Sequence, residues 1–113
     1  MTDDMRLPTA LWVDAHLRKC MAAAIPVYVV HKGAHAAGTV MVKIALGGKN
    51  CLLLNQSRDL DGNTGWMQVF DEAPVDENRA DAYIRRSIER DPDVWVIEVE
   101  DPEGRNPFEG KIF

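Results

Sequence analysis

Three groups of side chains in this sequence have residue types and spacings that could do chemistry. His31 and His35 stand four apart, the interval at which two imidazoles on a helix meet one metal ion. Asp59, Asp61 and Asn63 repeat the alternating oxygen ligands that open a calcium loop. His16 and Cys20, again four apart, are the types of a general base and a nucleophile. Each group is incomplete. Gly33 interrupts the two histidines at a strand-like end, so they read as turn residues. The calcium pattern fails at Thr64, where the sharp turn needs glycine, and at Phe70, where a bidentate Glu should close the loop. A polar turn whose Asp and Asn side chains bond their own backbone explains the same string. Cys20 lies on an apolar stripe, where burial raises a thiol's pKa and removes its nucleophilicity.

Other residues suit binding better than reaction. Arg79, Tyr83, Arg86 and Arg90 fall at i, i+4, i+7 and i+11, a basic stripe with an aromatic beside it in an otherwise acidic chain. Guanidinium groups in such a row could hold a phosphate, a carboxylate patch or an acidic partner, so a small anionic ligand is an option. Helix solubility explains much of the same row: Asp81, Arg85 and Glu89 are spaced as i,i+4 pairs, and late positive charge suits a helix dipole. Of the three tryptophans, Trp66 and Trp95 read as core. Trp12 lies off the main stripe, beside His16, and is the best candidate for an aromatic that anchors a partner. The apolar residues of the segment 108–113 must also dock somewhere, on the body or on a neighbour.

The elements that would position these residues follow from periodicity. Val13, Leu17, Cys20, Met21 and Ala24 form one helical stripe, with Asp14 and Arg18 opposite. Leu11 falls on the wrong side, which predicts an extended or turned segment to Val13 and a helix from about Asp14. Pro26 ends it, and Val27-Tyr28-Val29-Val30 is a strand by its β-branched and aromatic content. Thr39 to Leu46 alternates as a half-buried strand with Lys43 outward. Gly47-Gly48-Lys49-Asn50 turns it into a second strand from Cys51 to Asn55. Thr64 to Phe70 completes an expected four-stranded meander. Asp76 is a good N-cap for a second helix with the inner stripe Ala80, Tyr83, Ile84, Ser87 and Ile88, stopping at Asp91-Pro92. Val94 to Glu100 begins apolar on both faces, as a central strand does.

The expected fold is therefore α+β. Two helices pack on a mostly antiparallel sheet of about five strands, in the order α-β-β-β-β-α-β. Both helices on one face is the first arrangement, and one on each face the alternative. Residues 1–6 form a polar leader, 7–101 a single compact domain and 102–113 an irregular tail.

Composition bounds the rest. With 113 residues, 46% hydrophobic and 27% charged, the chain suits one domain that buries roughly two thirds of its unfolded surface without staples. A formal charge of −5 disfavours nucleic acid. The acidic start and the apolar run broken at Pro26 point away from a signal peptide or membrane span and toward a cytoplasmic protein. Cys20 and Cys51 read as reduced core residues, and no cofactor motif is present.

The strings Leu7-Pro8-Thr9-Ala10-Leu11-Trp12-Val13, Ala37 to Lys43, Ala80 to Ile84 and above all Arg90-Asp91-Pro92-Asp93-Val94-Trp95 through Asp101 are distinctive. Through them the chain resembles a family of short uncharacterised alphaproteobacterial proteins, a domain of unknown function, from about Leu7 to Asp101. That resemblance implies one small intact domain and carries no activity, cofactor or site. The residues favour a non-catalytic interaction module, self-associating or bound to a protein partner, using Trp12 and the Arg79, Tyr83, Arg86 and Arg90 stripe. The alternative is a small metal-dependent hydrolase or nuclease-like enzyme. It would gather His31 or His35 with Asp59 and Asp61 on one ion.

Overall fold

Pro8 sets the start of the first helix. Its backbone is held at φ −55° and ψ 145°, and α1 (Thr9–Ala22) follows directly. No side chain caps this end. The carbonyls of His35 and Ala36 do so, accepting from the N–H groups of Ala10 at 2.9 Å and Thr9 at 3.4 Å. This long-range cap corrects the expected start near Asp14: the off-stripe Leu11 is simply an exposed residue of the first turns. At the other end Ala24 takes φ 59°, and the Ile25 N–H donates to the Cys20 carbonyl at 2.9 Å. The buried stripe is Val13, His16 and Cys20, while Met21 and Ala24 face outward, so the helix is rotated from its expected orientation toward His16. Asp14 and Arg18 pair at 3.0 Å on the outer face.

The computed structural model describes residues 7–113; the expected polar leader lies outside them. After α1 come β1 (Val27–His31), β2 (Val40–Gly47), β3 (Asn50–Arg58), β4 (Thr64–Gln68), the short β5 (Val75–Asp76), α2 (Glu77–Arg90) and β6 (Trp95–Glu100). The sheet order is β1-β6-β2-β3-β4, with β5 also on β3. Thus β2, β3 and β4 form a meander, but β6 separates β1 from β2, correcting the expected four-stranded run. Burial explains the insertion. Val96, Ile97 and Val99 are completely buried, which only an interior strand allows, whereas Tyr28, Val29 and Val30 tolerate an edge. β6 runs parallel to β2 and antiparallel to β1.

The helices take opposite faces, the second of the two expected arrangements. Val40, Val42 and Ile44 of β2 join Val13 of α1 in one core, with Trp66, Ile97 and Phe108. Met41, Leu53 and Val96 join Ala80 and Ile84 of α2 in the other. β2 is therefore covered on both faces and not half-buried, and Lys43 points into the α2 side with only 3% exposure. The β2–β3 turn forms as expected, with positive φ at Gly47, Gly48 and Lys49. Asp76 caps α2 by accepting from the Asn78 N–H at 2.8 Å.

The segment after β6 has no long regular element, yet it packs on its own body. The Phe108 ring enters the α1-side core. Lys111 and Phe113 pair with the outer edge of β4, the Trp66 N–H donating to the Lys111 carbonyl at 2.8 Å and the Phe113 N–H to the Trp66 carbonyl at 2.7 Å.

Candidate interaction surface

Gly33 and Gly38 fit the β1–β2 loop tightly against β6, since a Cβ at either would collide with the Asp93 carbonyl. The Ala34 N–H donates to that same carbonyl at 3.0 Å, and Trp95 Nε1 donates to the Ala34 carbonyl at 2.8 Å. This packing shapes one end of the sheet, where β2 and β6 begin and β3 finishes. Two hollows meet there. The larger, about 940 Å³, is lined by Leu7 and Trp12 on the α1 side, by Ala36 to Val40, and by Arg58, Asn63 and Glu109. The smaller, about 340 Å³, lies on the α2 side among Met41, Asn55, Tyr83, Ser87 and Arg90. Thr39, Gln56 and Asp91 belong to both, so the depression continues across the sheet end.

Trp12 forms the α1 wall of this groove. Its ring lies 4.1 Å from that of His16 and 5.7 Å from that of Phe108, and its Nε1 donates to Glu109 Oε1 at 3.3 Å. It is half-buried, a fixed wall rather than a free hook. His16 stacks on Phe108 with ring planes 5° apart. Its Nδ1–H donates to the Trp12 carbonyl at 2.8 Å, because a carbonyl can only accept, and its buried Nε2 faces Glu109 Oε1 at 3.6 Å. His16 thus serves the aromatic packing and does not address Cys20, whose thiol pKa is raised by burial.

The basic stripe divides along its length. Arg79 donates to Glu72 at 2.6 Å and lies over the Phe70 ring at 4.6 Å, and Tyr83 meets Phe70 edge-on at 5.6 Å. Arg86 is exposed, and Arg90 reaches the groove. Asp81 pairs not with Arg85 but with a residue the sequence reading set outward. Lys43 Nζ bonds Glu77 at 2.7 Å and Asp81 at 2.9 Å, with Glu98 at 3.6 Å. Burial pushes the ammonium pKa down, but the bonds to Glu77 and Asp81 outweigh it and hold the group above its usual value. The signal was available in a lone lysine within an apolar strand and two carboxylates four apart at the start of α2.

The metal candidates are not gathered. His31 Nδ1–H donates to the Val94 carbonyl at 2.8 Å, and His35 is exposed. Asp59 Oδ1 accepts from the N–H groups of Asp61 and Asn63, both at 2.9 Å, and the bond from Asn63 chiefly holds its carboxyl below the usual range. This is the polar turn. His31 on β1 and Asp59 beyond β3 are three strands apart, roughly 14 Å at ordinary strand spacing. Among the described residues no three His, Cys, Asp or Glu side chains form a metal-sized cluster. Nor is any helix among them long and apolar enough to cross a membrane.

A family model described as a protein of unknown function, DUF1491, matches residues 7–109. The chain belongs to the DUF1491 family. A DUF1491 protein from Caulobacter crescentus, known from a crystal structure, is 32% identical with a TM-score of 0.84; the match covers 96% of this chain and 100% of that one. An NMR structure of a DUF1491 protein from the same organism gives 33% identity and a TM-score of 0.78, over 95% of this chain and 96% of that one. A protein from A. tumefaciens is 26% identical with a TM-score of 0.70, covering 85% of this chain and 86% of that one. No curated protein matches the chain. The DUF1491 match includes the Trp12 wall and the segment through Glu109, so the groove's lining apart from Gly110 lies within the matched span.

Proposed function

We propose that this DUF1491 domain is a non-catalytic interaction module that holds an extended polypeptide segment in the groove across its sheet end. The observation carrying this reading is the continuity of the two hollows through Thr39, Gln56 and Asp91, with Trp12 flanking one and Tyr83 and Arg90 the other. An aromatic wall beside hydrogen-bonding side chains such as Thr39, Gln56 and Asn63 suits a peptide, with Arg58 and Arg90 to meet its carboxylates and Asp91, Asp93 and Glu109 its amines. Net charge −5 argues against nucleic acid in the same groove. Two buried free thiols accord with a cytoplasmic location. The metal-hydrolase reading draws no support from side chains held apart and spent on backbone partners.

Selection from a random peptide library, followed by amide-shift mapping, tests the reading. Selected peptides should perturb Thr39, Gln56 and Arg90. Thr39→Arg, which fills the floor while sparing the backbone bond from the Trp95 N–H to the Thr39 carbonyl, should weaken them roughly tenfold or more with the melting temperature unchanged. Peptides that perturb another surface, or bind Thr39→Arg equally well, overturn it.

A further inference from the structure

The two edges of the sheet are treated differently. The outer edge of β4 is paired by the chain's own Lys111 and Phe113. β1 ends the strand order at the other side, and among the described residues no backbone group pairs with its outer edge. It is also apolar: Tyr28, Val29 and Val30 are 52%, 45% and 49% exposed. A bare apolar edge invites pairing with another strand.

The register on β6 shows which groups are on offer. The Glu100 N–H donates to the Pro26 carbonyl, so Pro26 and Glu100 form a hydrogen-bonded pair and, two residues on, Tyr28 and Glu98 form the next. The intervening Val27 and Val29 therefore aim both N–H and C=O away from the sheet. We infer that β1 pairs antiparallel with β1 of a second copy, about a twofold axis through Tyr28.

That register is self-complementary. Val27 exchanges both backbone bonds with Val29 of the other copy, and Val29 does so with Val27. Tyr28 faces its own counterpart in a non-hydrogen-bonded pair. Pro26, which has no N–H, falls where none is required. Centring the axis on Val29 instead would run the pairing into the irregularity between Val29 and His31. The strand from Val27 to His31 itself carries no Asp, Glu, Lys or Arg, and the carboxylates beside Tyr28, those of Glu98 and Glu100, belong to the next strand in. No residue of β1 lines the groove, so the two surfaces are separate.

Sedimentation equilibrium of the full chain, with oxidative cross-linking of two single variants, tests the inference. Wild type should approach twice the monomer mass between micromolar and millimolar concentration. Tyr28→Cys should form a disulfide with its counterpart, Cα atoms being about 4.5 Å apart at such a pair. Its rate should exceed that of Leu60→Cys, on a fully exposed loop, by about tenfold or more through effective concentration. Native Cys20 and Cys51 are buried and do not compete. Val29→Lys should return the mass to that of a monomer with an otherwise unchanged amide spectrum. A monomer throughout overturns the inference, as does a dimer indifferent to Val29→Lys or one in which position 28 couples no faster than position 60. Thr39→Arg should leave the mass unaffected, so failure of the groove reading and failure of this one are distinguishable.

Discussion

Single side chains in this protein show how partners override residue type. Lys43 would be a poor core residue alone, yet Glu77, Asp81 and Glu98 make it a charged strut between β2, α2 and β6. Lys43→Met should lower stability by about 3 kcal/mol at neutral pH, because the three carboxylates are left facing one another. Chemical denaturation of the two proteins would read the difference. Asp101 supplies a pH handle. Its carboxyl accepts from Arg105 Nε at 2.8 Å and from the Glu103 N–H at 3.0 Å, and Arg105 foremost holds its pKa at about 2 against 3.8 normally. A depressed carboxyl stabilises the fold above its unfolded pKa and loses that contribution as pH falls through the folded value. Stability should therefore drop between pH 3.8 and about 2, and Asp101→Asn should flatten that slope. Gly33 has no such latitude: Gly33→Ala should cost more than about 1 kcal/mol, read from the melting temperature, since the added Cβ meets the Asp93 backbone and the Trp95 ring.

At the scale of elements, end conditions mattered as much as periodicity. The apolar spacing identified both helices, but α1 begins where the β1–β2 loop lends it carbonyls and ends on Ala24 in the left-handed region. An alanine there pays a steric cost that glycine does not. Ala24→Gly should accordingly stabilise the protein by about 0.5–1 kcal/mol, the reverse of glycine's effect inside a helix, and the denaturation midpoint would show it. The strands divide by coverage. β2 and β6 are covered on both sides, each having a helix or helix-side core above and below, with Lys43 and Glu98 facing one another on the α2 side, whereas β1 is left at the rim with its valines and tyrosine partly in water.

For the whole molecule, the segment after β6 ties its parts together. Phe108 lies between Trp12, His16 and Trp66, joining α1, β4 and the tail in one aromatic packing unit. Phe108→Ala should destabilise the protein by about 3–5 kcal/mol and loosen the Trp12 wall of the groove, visible as a red shift in tryptophan fluorescence. An effect much smaller than that would mean the ring's place is readily refilled and the tail contributes little to the wall.

Much was legible without coordinates. The strand-forming run of β2, the glycine-rich turn after it, the Asp76 cap and the inner stripe of α2 are local patterns, and local patterns survive in any fold that buries them. Residue chemistry also indicated a polar turn at Asp59 and a buried thiol at Cys20. What the chain could not declare locally was everything fixed by distant partners: β6 slipping between β1 and β2, the helices parting to opposite faces, Lys43 turned inward to meet carboxylates from α2 and β6, and Trp12 and Arg90 brought to the same end of the sheet. Hydrophobic periodicity says which side of an element avoids water but not which neighbour covers it, and that choice is made only when all the elements compete to pack at once.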